Sequence, residues 1–151
     1  MNRISFCLAL SLSACVGCGG AKSDLTFVPV TGVVHLDGQP LVDAEIAAVP
    51  VGATPGMGGG SRSNSNGEFQ FSHARGERGL PEGEYIITVG LRKRPDGTVP
   101  PADDPTSPID SNAVETLAPR YSDFSRSTLK LAVYSSATDP VELKLESSKP
   151  R

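Results

Sequence analysis

The chain has 151 residues, long enough for one domain and too short for two ordinary ones. With 38% hydrophobic and 21% charged residues it is neither a fibrous nor a disordered polymer. A net charge of −3 and the absence of Trp leave no basic surface for nucleic acid and no large aromatic platform for bases or sugars.

The chain opens with Met1-Asn2-Arg3, a short segment with one positive charge, followed by an apolar run over residues 4–12. As a helix that run would cover ~14 Å at ~1.5 Å per residue, against a hydrocarbon core of ~30 Å, so it suits a signal peptide and not a membrane span. Small residues lead to a cysteine in Leu12-Ser13-Ala14-Cys15, and a second cysteine follows at Cys18. Cys15-Val16-Gly17-Cys18 also has the spacing of a redox pair or half a zinc site. A zinc site would need more ligands than His35 and His73, and no βαβ pattern surrounds the pair. Residues 1–14 are read as a signal peptide and 15–27, from Cys15 onward, as a flexible tether.

From residue 28 the apolar period is two, with turn signals between the runs. Val30, Gly32, Val34 and Leu36 share one face, ending at Asp37-Gly38. Ala44, Ile46 and Ala48 share the next, before a glycine-rich loop over residues 52–60. A strand is expected from Ser61 to Ser63, turning at Asn64-Ser65-Asn66-Gly67 into Phe69 and Phe71. Tyr85, Ile87, Val89 and Leu91 follow. Leu129, Leu131 and Val133, then Val141, Leu143 and Leu145, close the series. Seven short strands, each with one polar face, predict an all-β fold: a single seven-stranded antiparallel β-sandwich over residues 28–147. Phe71 is expected at its centre.

Residues 92–120 break this pattern with Pro95, Pro100, Pro101, Pro105 and Pro108. So long a Pro-rich connection reads as functional or mobile. Residues 110–117 could hold one helical turn, because Asn112 and Glu115 have capping-box spacing.

Four groups of residues carry a resemblance. Leu12-Ser13-Ala14-Cys15 resembles a bacterial lipobox. Gly32, Val34, Asp37-Gly38, Pro40-Leu41, Ala44 and Ile46 come next, then Asn66-Gly67, Phe69 and Phe71. Last are Leu80-Pro81, Gly83, Tyr85, Ile87 and Val89. In this order they resemble the carboxypeptidase regulatory-like domain, a transthyretin-like (Ig-like) sandwich. With the lipobox, the whole is similar to small planctomycete-type lipoproteins. The resemblance implies lipidation at Cys15, with Cys18 as the alternative, and a location in the bacterial cell envelope facing the periplasm or exterior. It also implies a non-catalytic role, since that domain is the appendage of metallocarboxypeptidases and not their zinc-protease part.

Candidate chemistry is sparse. His35 lies on an outward strand position and His73 in an expected loop, with no metal-ligand spacing between them. Asp103, Asp104 and Asp110 lack EF-hand spacing. Arg92-Lys93-Arg94 reads as a strand end meeting water. The C-terminal Ser148-Lys149-Pro150-Arg151 departs from the Tyr-Arg-Gly-Ser ending of the hydrolytic transthyretin relatives. No cofactor, metal or catalytic residue is expected. The expected partners are the membrane, through the anchor, and an envelope protein or glycan. The expected function is to bind or position another envelope component. The alternatives are a carbohydrate- or peptide-binding accessory module, with Tyr121 and Phe124 beside a groove, and an unrecognised hydrolase.

Overall fold

Alternating apolar residues commit each segment to one buried and one exposed face, and the turns between segments decide which strands meet. The computed structural model describes residues 25–106, 110–135 and 139–147. The signal peptide, Cys15, Cys18 and the Ser148-Lys149-Pro150-Arg151 end lie outside the described residues. The strands are β1 (Phe27–Val28), β2 (Thr31–Leu36), β3 (Gln39–Pro40), β4 (Glu45–Val51) and β5 (Gly59–Arg62). Then come β6 (Glu68–Gln70), β7 (Ser72–His73), β8 (Leu80–Pro81), β9 (Gly83–Gly90) and β10 (Arg92–Lys93). After β11 (Val114–Glu115) a single helical turn, α1 (Pro119–Ser122), leads to β12 (Leu129–Val133) and β13 (Val141–Leu145).

The fold is all-β. A five-stranded antiparallel sheet has the order β12-β9-β4-β5-β7. In the second sheet β2 lies between β13 and β3, and β6 also pairs with β2. The inward positions of both sheets feed one hydrophobic cluster. Val34, Phe69, Leu143 and Leu145 come from the second sheet, and Ile46, Ala48, Tyr85, Ile87, Val89 and Val133 from the first. Phe71 is 0% exposed and meets Phe69 edge-on, with ring centroids 5.3 Å apart. Tyr85 buries its ring and donates its hydroxyl to Pro81 O at 2.7 Å, so a buried polar tip is satisfied.

The turn signals act locally. Asp37 (φ 51) and Gly38 (φ 79) both take positive φ, as a two-residue hairpin turn between β2 and β3 requires. The side chain of Asn64 accepts the N–H groups of Asn66 and Glu68, closing the next turn at 2.9 Å in both cases.

Three expectations are corrected. First, β13 runs parallel to β2 instead of antiparallel. β12 sits in the five-stranded sheet and β13 in the other, so the chain changes sheets between them, and a strand arriving by crossover is not reversed as in a hairpin. Second, β5 begins at Gly59, inside the expected glycine-rich loop. A Cβ there would lie 2.6 Å from Ser72 O and 2.7 Å from Leu80 Cδ2, so glycine is what admits the close pairing. Third, residues 110–117 contain no helical turn among the described residues. Val114–Glu115 pairs with Arg92–Lys93, and the turn of helix comes later, with a Pro at its start.

Candidate functional site

The outward residues of β2 and β13 line a groove of about 720 Å³. His35, Asp37, Glu142, Lys144, Glu146 and Ser147 line it. Strand alternation puts His35, Glu142 and Lys144 there, because Val34, Leu143 and Leu145 turn inward to the core. Lys144 Nζ lies 2.9 Å from Glu142 Oε2, and His35 Nδ1 lies 4.0 Å from Glu142 Oε1. The Asp37 carboxylate accepts the Ser147 N–H at 2.9 Å, and hydrogen bonding by Ser147 holds the carboxyl below the usual carboxylate range. These side chains offer both charge signs on a shallow face. That chemistry suits ionic recognition of a polar partner.

A smaller pocket of about 220 Å³ lies beneath the Pro-rich connection, lined in part by Asp43, Glu45, Arg92 and Asp104. Here the connection is pinned down. Arg62 donates to Pro100 O at 2.6 Å and reaches Asp43 at 3.3 Å, and Arg94 pairs with Asp104. Bonds from Thr106 hold the Asp104 carboxyl low, with the Arg94 charge adding to them. Glu115 Oε1 accepts the N–H groups of Leu91, Thr116 and Leu117 at 2.8–3.0 Å. The spacing that suggested a helix cap therefore serves a strand edge instead. Among the described residues, no three His, Cys, Asp or Glu side chains are grouped so as to hold a metal ion, and no helix is long and apolar enough to cross a membrane.

Two residues lie elsewhere than expected. His73 is 3% exposed and belongs to β7, not to a surface loop. Its ring sits 4.9 Å from that of Phe27, and Nδ1 faces Arg75 N and a Glu77 carboxylate oxygen, each at 3.4 Å. Among the described residues its Nε2 has no hydrogen-bond partner, and it lies beneath the backbone of Gly56. Pairing of Gly59 with His73 carries the ring inside, a non-local contact that no sequence motif announces. Tyr121 is also buried, at 7% exposure, so it offers no glycan platform. Its hydroxyl accepts the Glu146 N–H at 3.1 Å, and the Arg120 guanidinium lies 4.9 Å from its ring centroid. Phe124 stays exposed. Of the remaining candidates, His35 joins the groove, Arg92 and Lys93 pair with β11, and Asp103 and Asp110 lie on the connection. In the sequence Asp37 belongs to a turn signal, and Glu142 and Lys144 fall on the polar face of their strand. Their alternation with core residues was the available signal. Compared with known proteins, the chain matches no family model, no curated protein and no solved structure.

Proposed function

We propose that this chain is a non-enzymatic, lipid-anchored protein of the bacterial cell envelope that binds or positions another envelope component. In this reading β2, β4, β5, β6, β9, β12 and β13 form a transthyretin-like seven-stranded sandwich, and the two-residue strands extend its ends. The observation that carries the reading is Leu12-Ser13-Ala14-Cys15 after a signal-type apolar run and before an all-β domain. Support also comes from how the reactive side chains are used. His73 packs on Phe27, Asp104 pairs with Arg94, and Glu115 is filled by three backbone amides. The polar groove along β2 and β13 is then the surface offered to a partner.

Two or more acyl chains on one cysteine hold a protein at a bilayer, at ~0.8 kcal/mol per buried CH₂, without a membrane span. Metabolic labelling with a fatty acid and the intact mass of the mature protein test the anchor. Label is expected on the wild type and on Cys18→Ala, and lost in Cys15→Ala. Loss only in Cys18→Ala would move the anchor three residues on, and an unlabelled wild type would overturn the reading.

A further inference from the structure

The last strand has a free edge. Among the described residues β13 ends its sheet and pairs on one side only, with β2. Leu145 O accepts the Asp37 N–H at 2.9 Å, so the backbone groups of Leu145 point to the β2 side. Backbone groups of successive strand residues alternate in direction, so those of Val141 and Leu143 point the same way and those of Glu142 and Lys144 point outward. Glu146 continues the outward set. Its N–H donates to the Tyr121 hydroxyl and its carbonyl accepts from Arg120 Nη2 at 2.9 Å. At Glu142 and Lys144, by contrast, no backbone partner lies on the outward edge among the described residues, and both side chains are at least half exposed.

The edge sequence Val141-Glu142-Leu143-Lys144-Leu145 is complementary to itself. An antiparallel partner strand of the same sequence, centred on Leu143, sets Glu142 opposite Lys144 and Lys144 opposite Glu142. These are the two residues whose free N–H and C=O groups point outward, so each opposed pair can exchange both backbone bonds. Leu143 meets Leu143, and Val141 meets Leu145. The ladder also ends cleanly. Opposite Glu146, whose backbone groups are already engaged, falls Pro140, which has no N–H to leave unmet. A charge pattern that matches itself under a two-fold axis selects one occupant over an arbitrary peptide.

We infer that the β13 edge is an isologous docking surface for a second copy of this chain, joining two β13 strands into one continuous sheet. This inference does not rest on the anchor or on the envelope reading.

Charge reversal tests it. The purified full chain is followed by light scattering over a wide concentration series, as wild type, E142K, K144E and the doubly swapped E142K/K144E. The wild type is expected to form a reversible dimer. Each single reversal sets like charges opposite each other twice and should weaken association by roughly tenfold or more. Mixing E142K with K144E should restore dimers, because an all-cationic edge then meets an all-anionic one. The doubly swapped chain, which also keeps its internal ion pair, should dimerise like wild type. A wild type of single-chain mass throughout would overturn the inference. So would single variants that associate like wild type, or a mixture that stays monomeric while the doubly swapped chain is also monomeric.

Discussion

The Asp37 carboxylate accepts the backbone N–H of Ser147, a residue 110 positions later, at 2.9 Å. This bond ties the first hairpin turn to the end of the last strand, beside the backbone bond from Asp37 N to Leu145 O. Its carboxyl is held below its ordinary range chiefly by Ser147. A depressed folded-state pKa contributes stability at pH above the ordinary value. The contribution fades as pH falls below that value and is gone once pH passes the lowered one. The protection of the Ser147 amide, the slowing of its exchange relative to an unstructured amide at the same pH, should therefore fall as the solution is made acidic through the carboxylate range. Asp37→Asn keeps a residue that tolerates the turn's positive φ and should flatten that pH dependence. A Ser147 amide with the same profile in both proteins would refute the linkage.

Phe71, 0% exposed and edge-on to Phe69, marks the centre of the core. Phe71→Ala should cost ~3–5 kcal/mol, a large share of a typical ~5–15 kcal/mol total. Chemical denaturation would show a lower midpoint at similar slope. An unchanged midpoint is the outcome that contradicts this placement.

Two turn glycines should respond differently to alanine. At Gly38 (φ 79) a Cβ meets nothing within 4 Å, so Gly38→Ala should cost only the ~1–2 kcal/mol of placing an L-residue in the left-handed region. At Gly67 (φ 74) a Cβ would lie 2.5 Å from Val34 O, and the Gly67 carbonyl also accepts the Val34 N–H at 2.8 Å. Gly67→Ala should therefore lower the melting temperature clearly more than Gly38→Ala. Equal losses would mean that φ alone matters at these sites.

Glu115 anchors the far end of the Pro-rich connection through Leu91, Thr116 and Leu117. Glu115→Ala takes the acceptor from the Leu91 and Leu117 N–H groups, leaves the Thr116 N–H only its bond to Leu91 O, and should loosen β11 from β10. Limited proteolysis is expected to cut first within the connection following Arg94, and several-fold faster in Glu115→Ala. First cleavage within β9, or equal rates in the two proteins, would argue against an anchoring role.

The longer strands and most of their inward faces were legible from the sequence because a period of two is a property of neighbouring residues, whereas two-residue strands such as β1 and β8 are too short to show it. Val34, Ile46, Ala48, Phe71, Tyr85, Ile87 and Val89 are all buried as that period requires. Asp37-Gly38 and Asn64-Ser65-Asn66-Gly67 announced their turns for the same reason, since backbone conformation and Asx hydrogen bonds act within a few residues. Sheet membership is a different kind of fact. That β13 lies parallel to β2 depends on where the chain crosses between sheets, and no pattern inside Val141–Leu145 encodes that direction. His73 and Tyr121 have the polar tips of surface residues, yet pairing with Gly59 draws one inward and the end of β13 covers the other. The groove needs His35 and Asp37 from one end of the chain and Glu142 to Ser147 from the other. Burial and charge proximity are set by contacts between distant segments, so the elements could be read from residues alone, while only the tertiary structure decided which side chains share a site.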